Sequence, residues 1–233
     1  MRVHRFFVQA KIMANSPVAI TDEKLLHQWR SVLRLKMGGE VILFAGSGTD
    51  FRCEIVTLEK KEATCVIREV VKNEVVPLRE LILFPALIKK DHFEWLLEKV
   101  TELGVAEIRP VVSERTEVKK VNVERARDIV KEATEQSGRG TLPDIAEPVS
   151  FESALSSVSV PAIAFDPSGS PFHTSEFILH DSISAFIGPE GGWSPRELAL
   201  FSERNIPLYS LSTATLRAET AGVVVTTLLL LQS

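Results

Sequence analysis

The chain has 233 residues, 45% hydrophobic and 25% charged, with a net charge of −4. That is enough apolar material for one large domain, or for a medium and a small one, and no run of about 18 apolar residues exists to span a bilayer. The amino terminus, MRVHRFFVQAKI, breaks up with charges the apolar stretch that an export signal needs, and Cys53 and Cys65 have neither metal spacing nor the number for a disulfide framework. The cysteines read as small strand residues of a protein kept in a reducing compartment, the cytoplasm. The histidines show no ligand spacing, so no metal is expected, and no membrane association.

The average charge hides an asymmetry. The first 73 residues carry 12 Lys and Arg against 8 Asp and Glu, whereas the other 160 carry 15 against 23. A basic segment on an acidic body suits a module that grips a polyanion, although ordinary surface fluctuation gives the same counts. HRFFVQA, EVILFAG, DFRCEIVTLE and EATCVIREVV in this segment have the short alternating pattern of strands. GSGTD at Gly46 to Asp50 supplies hairpin glycines, and because a strand follows it, it is no dinucleotide loop. One helix is predicted between the strands, from a Thr21 cap to Gly38, with Leu25, Trp29, Val32 and Leu33 inward. Residues 1–73 therefore read as a small β-barrel domain with one helix.

VKNEVVPLRE, Val71 to Glu80, is polar and proline-bearing and reads as a linker. Beyond it strand and helix alternate over residues 74–233. LILFPAL and VAEIRPVV are strands, and DHFEWLLEKVTELG is a helix with Phe93, Leu96, Leu97, Val100 and Leu103 inward. A second helix runs from an Asn122 cap to a Gly138 stop, PAIAFDP and SISAFIG are short buried strands, and LYSL is a short strand. This order predicts an α/β domain with a parallel sheet covered on both faces.

Two stretches carry chemistry. In GPEGGWSPREL, Gly188 to Leu198, a strand ends and Ser194-Pro195-Arg196-Glu197 forms a capping box, so the intervening loop lies where open α/β sheets bind ligands. Gly188, Gly191 and Gly192 would let main-chain groups meet a flat ligand, with Glu190 the charged group in the crevice. The absence of a following Lys-Ser or Lys-Thr and the presence of that acid exclude a phosphate loop and favour a neutral or cationic ligand. LSTATLRAETAGVVVTTLLLL places Arg217 at the positive end of a long apolar helix, where an arginine usually meets an anion. Glu219 is electrostatically at home there. The helix is apolar on more than one face, as expected if it is deeply buried or shared with a second subunit.

Together HRFF, HQWRSVLRLKMGGEV, EKVTELGVAEIRPV, EQSGR, GPEGGWSPREL and LSTATLRAETA resemble the SPOUT superfamily of methyltransferases over nearly the whole chain. Within it they are most similar to the family that methylates N3 of a uridine in small-subunit (16S) ribosomal RNA. The last loop departs from that family's usual Leu-Gly-x-Arg-Ile-Leu-Arg-x-Glu-Thr-Ala between Ser212 and Thr215. The resemblance implies a PUA-like RNA-binding barrel followed by an α/β domain with a C-terminal trefoil knot. It also implies S-adenosylmethionine bent against Gly188, Pro189, Glu190, Gly191 and Gly192 on one side and Leu211, Ser212 and Leu216 on the other. A homodimer acting on small-subunit RNA or the 30S particle, and not on DNA, completes what it implies.

Methyl transfer to a uracil nitrogen needs alignment of donor and acceptor and removal of the N3 proton, which leaves charge on the flanking carbonyls. Arg217, with Arg139, is the candidate to stabilise that charge or hold the adjacent phosphate; Glu190 or Glu219 would orient or accept the proton. Arg5 and Arg34, with Arg139, are candidates for RNA contact. The alternatives are a SPOUT methyltransferase for another RNA site, or a non-catalytic RNA-binding protein.

Overall fold

The computed structural model describes residues 3–9, 11–173, 180–211 and 214–231. The chain forms two units, one of Met1–Val76 with Thr134–Leu142, the other of Pro77–Ala133 with Pro143–Ser233.

The first unit is built on β1 (His4–Phe7), β2 (Val18–Ile20), β3 (Glu40–Phe44), β4 (Thr49–Leu58) and β5 (Ala63–Lys72), in sheet order β1-β3-β4-β5-β2. β1 runs parallel to β3, and the remaining neighbours are antiparallel. Two register shifts between β4 and β5 bend these long strands, as bulges do. No ladder joins β1 to β2 among the described residues, so the expected barrel is a bent sheet with two edges. Gly46 and Gly48, both at positive φ, turn the β3–β4 hairpin as expected. The inner face packs Phe6, Leu43, Ile55 and both cysteines around Trp29, whose ring centroid lies 5.1 Å from that of Phe6.

The predicted helix is shorter and differently wound. α1 (Glu23–His27) is capped by Asp22, not Thr21, with the Asp22 carboxylate accepting from the Leu25 amide. It passes directly into a π turn, Gln28–Val32, closed by a Leu33 N–H to Gln28 C=O bond, and ends at Arg34 with φ +52°. The wider turn keeps Leu25 and Trp29 inward but carries Val32 out, leaving it 66% exposed, and Leu33 is only partly buried.

The segment Thr134–Leu142 belongs to this unit through specific bonds. The Phe7 amide donates to Glu135 Oε1, and Asn73 Nδ2 donates to the Gly138 carbonyl and to Asp50. Arg5 bonds Asp50 at 2.6 Å and the Arg139 carbonyl at 3.1 Å.

The second unit contains β6 (Glu80–Pro85), α2 (Lys90–Leu103), β7 (Glu107–Ile108), β8 (Val111–Val112), most of α3 (Val123–Ser137), β9 (Asp144–Ile145), β10 (Val149–Ser150), α4 (Phe151–Ser156), β11 (Ala162–Pro171), β12 (Ser182–Ile187), α5 (Pro195–Glu203), β13 (Leu208–Ser210) and α6 (Ala218–Leu230). Six strands form the expected all-parallel sheet, in order β13-β11-β12-β6-β7-β9. VAEIRPVV divides in two, because Pro110 has no amide to donate: β7 stays in the main sheet and β8 pairs with β10. The predicted inward face of α2 is buried at Phe93, Leu96, Leu97 and Val100. The Asn122 side chain caps α3 by accepting from the Arg125 amide.

α6 packs on α2 and over β6 and β12. Gly222 lies at the helix crossing, where an added Cβ would come within 2.6 Å of Leu96 Cδ1. No helix among the described residues is long and apolar enough to cross a membrane. Both cysteines are buried and unbridged, and burial pushes the Cys53 thiol up to about 11 and that of Cys65 to about 12.

Candidate active site

At the carboxyl ends of β11, β12 and β13 the second unit holds a cavity of about 470 Å³. Parallel strands delivering three loops to one edge of a sheet create such a crevice. One wall is the loop after β12, with Gly188, Pro189, Glu190 and Gly192; another is Tyr209, Ser210 and Leu211 leading to Thr215, Leu216 and Ala218 at the start of α6. Phe165, Asp166 and Pro167 of β11 form the third. No Lys, Arg or His is among the described lining residues.

The glycine loop is held firmly. The Gly192 amide bonds the Pro189 carbonyl, closing a turn, and Trp193 Nε1 donates to the Phe165 carbonyl at 3.1 Å. The Trp193 ring packs edge-on to Phe201 and against Phe151. The predicted capping box is present: Ser194 Oγ accepts from the Glu197 amide, and Glu197 Oε2 from the Ser194 amide at 2.8 Å. Glu197 is fully buried, and its Oε1 accepts from the Glu114 amide at 3.0 Å, tying the loop after β8 to the site. Arg115 from that loop donates to the Gly191 carbonyl, and Arg196 pairs with Glu114 and Glu152.

The three glycines differ in their reasons. Gly192, at φ +67°, takes a backbone shape that side chains resist, and faces open space apart from Asp166 Oδ2. At Gly188 a Cβ would lie 3.2 Å from the Trp193 indole, and at Gly191 it would meet Arg115 at 3.4 Å. Gly188 is thus explained by the protein's own neighbour, whereas the Gly191 contact is an ordinary one and Gly191 is outside the cavity lining.

Glu190 lines the cavity and is exposed; Leu211 and Leu216 line it as well, while Ser212 lies outside the described residues. Arg217 is the N-cap of α6, exposed, and makes no capping bond with its side chain. Glu219 is not among the described lining residues: it is buried, with Oε1 3.5 Å from His92 Nδ1 on α2. In the first unit Arg34 is exposed. Arg5 is only 11% exposed, paired with Asp50 and stacked 4.5 Å from the Phe44 ring centroid. Arg139 is 2% exposed, and burial pushes its guanidinium down to about 10.

Sequence reasoning missed Asp166 and Tyr209, the chain's single tyrosine. The signal for Asp166 is its place in AFDP, an acid directly after the buried stretch of a parallel strand, where the strand leaves the core.

A family model described as RNA methyltransferase domain matches residues 75–230, and one described as RNA methyltransferase PUA domain matches residues 30–68. The chain is 31% identical to the ribosomal RNA small subunit methyltransferase E of Synechocystis, over 95% of this chain and 75% of that protein. The chain belongs to the small-subunit ribosomal RNA methyltransferase E family. The methyltransferase E of Neisseria gonorrhoeae, solved bound to S-adenosyl methionine, superposes with a TM-score of 0.89 at 26% identity, covering 97% of this chain and 96% of that one. A Legionella pneumophila protein solved in complex with SAM gives a TM-score of 0.91 at 25% identity, covering 98% and 97%. The SPOUT resemblance read from the motifs is borne out, and with it a PUA-like first domain and a parallel-sheet methyltransferase domain in the methyltransferase E family.

Proposed function

We propose that the chain transfers a methyl group from S-adenosylmethionine to N3 of a uridine in small-subunit ribosomal RNA. The observation that carries this is the cavity at the strand ends, walled by main-chain-rich loops and acidic side chains, with no cation to hold a phosphate among the described lining residues. Its size and its apolar Leu211 and Leu216 suit an adenosyl group, and the peptide groups of Gly188 to Gly192 suit the adenine edge. When bound, S-adenosylmethionine supplies a methyl group already activated by its sulfonium. The protein's task is then alignment and handling of the N3 proton.

Arg217, exposed beside the cavity-lining Leu216 and Ala218, is the group available to stabilise the uracil carbonyls or hold the neighbouring phosphate. Glu190, exposed at the cavity wall, is the candidate to orient or accept the proton. Glu219 is buried, with Oε1 3.5 Å from His92 Nδ1, and lies outside the described cavity lining, so the part proposed for it is to hold the start of α6 against α2. Arg139, which is buried, and the part-buried Arg5 support the RNA-binding module of residues 1–73, while exposed cations such as Arg34 meet phosphates.

The family also supports a trefoil knot through the loops around the cavity, a cytoplasmic location, and a homodimer acting on RNA or the 30S particle. The partly exposed Val224 and Leu228 of α6 and the exposed Trp95 of α2 offer apolar surface for a second copy. The test is incubation with labelled S-adenosylmethionine and unmodified small subunits, followed by nucleoside mapping. Label in N3-methyluridine is expected, and Arg217→Ala is expected to cut turnover at least tenfold with cofactor affinity retained. Label in another nucleoside would redirect the substrate assignment, and absence of cofactor binding would overturn the enzyme reading.

A further inference from the structure

We propose that Asp166 makes the cavity discriminate by charge, favouring the cationic methyl donor over its neutral demethylated product. The inference rests on reading the cavity as the donor pocket. The described lining carries two carboxylates, Asp166 and Glu190, and no positive side chain. S-adenosylmethionine has a sulfonium, an ammonium and a carboxylate, for a single net positive charge; S-adenosylhomocysteine has lost the sulfonium charge and is neutral overall. A pocket with uncompensated negative charge binds the first more tightly than electrostatically indifferent walls would, and release of the spent product gains by the same margin.

Asp166 is singled out by its bracing. It sits where β11 slips its register against β13, between Phe165 and Ser170. Its Oδ1 accepts from the Ser168 amide at 2.9 Å and from Ser168 Oγ at 2.6 Å. The peptide before it is fixed by the Trp193 indole on the Phe165 carbonyl. With one oxygen so occupied, Oδ2 is the oxygen turned toward Gly192, 3.9 Å from where a Cβ there would stand. The missing side chain leaves that oxygen open, and a carboxylate already held in place spends little entropy on a ligand. Glu190 is exposed on its loop and has no such brace. Screening by water diminishes its share.

Calorimetry on the purified full chain, with S-adenosylmethionine and S-adenosylhomocysteine as the two probes, tests this without any turnover. Asp166→Asn keeps the shape and an acceptor for Ser168; it is expected to weaken donor binding on the order of tenfold and product binding less than about twofold. Asp166→Glu, which restores the charge, is expected to recover most of the donor-to-product ratio. Circular dichroism and an unchanged melting temperature establish that the variants are folded. Equal losses for both probes would overturn the inference, because Asp166 would then be serving a group the two share, such as the ribose. An unchanged ratio in Asp166→Asn would overturn it as well. A wild-type chain that binds neither probe would overturn the donor-pocket reading together with the inference, which separates the two failures.

Discussion

Glu197 offers the sharpest test of how the site is held. It is fully buried, yet both carboxylate oxygens are used: one accepts from the Ser194 amide at 2.8 Å, the other from the Glu114 amide at 3.0 Å. Hydrogen bonds to a charged group contribute about 1.5–3 kcal/mol each, and Glu197→Ala leaves the buried Ser194 amide and the part-buried Glu114 amide without their acceptor, so the expected loss is about 2–4 kcal/mol. That corresponds to a fall of roughly 1–2 M in the urea midpoint. Glu197→Gln keeps one acceptor but turns an NH₂ toward the other amide, so it should lie between wild type and Ala. Urea unfolding followed by tryptophan fluorescence measures all three, and Trp193 reports directly from the loop concerned. S-adenosylmethionine affinity should fall in the same order, since Glu114 and Arg115 brace the glycine loop through this junction. A loss below about 1 kcal/mol for Ala would refute the reasoning. So would Gln as stable as wild type, because it would mean that the side chain is not acting as a double acceptor.

Two further outcomes follow from packing. Gly222→Ala, which in an exposed helix gains up to about 1 kcal/mol, should here destabilise by roughly 1–2 kcal/mol, because the new methyl meets Leu96 on the buried face of α2; a raised melting temperature would contradict the close crossing. The thiols of Cys53 and Cys65 keep their protons to about 11 and about 12, above their ordinary 9.0. Their contribution to stability is therefore complete below about pH 9 and is lost as pH rises toward those values. Both should resist a thiol reagent at pH 8 in the native protein and react at once in denaturant.

Where local chemistry decides the structure, the sequence was legible. The apolar spacing of Phe93, Leu96, Leu97 and Val100 specified a helix face, the Ser194–Glu197 box the start of α5, and the alternation of strands and helices a parallel sheet. The misreadings lie where distant parts of the chain decide. A π turn at Gln28–Val32 leaves no mark on periodicity, since Leu25 and Trp29 fit an α-helical stripe equally well. The crowding of Gly188 by Trp193 exists only once the loop is packed. For the same reason the approach of His92, far back in the chain, to Glu219 could not be read from the string. Asp166 was visible in the string, but its role depends on which strands are neighbours.

Thr134–Leu142 has a bearing on how this protein is made. Gly140 accepts from the Gly48 amide, Gly138 from Asn73 and Arg139 from Arg5, so the earliest strands complete their bonding only with residues translated much later. A growing chain that had just cleared the ribosomal exit tunnel at residue 76 would still lack these partners. By the time they emerge, β6 and α2 have been synthesised as well, and maturation of the amino-terminal module becomes coupled to the timing of elongation through the polypeptide's midpoint.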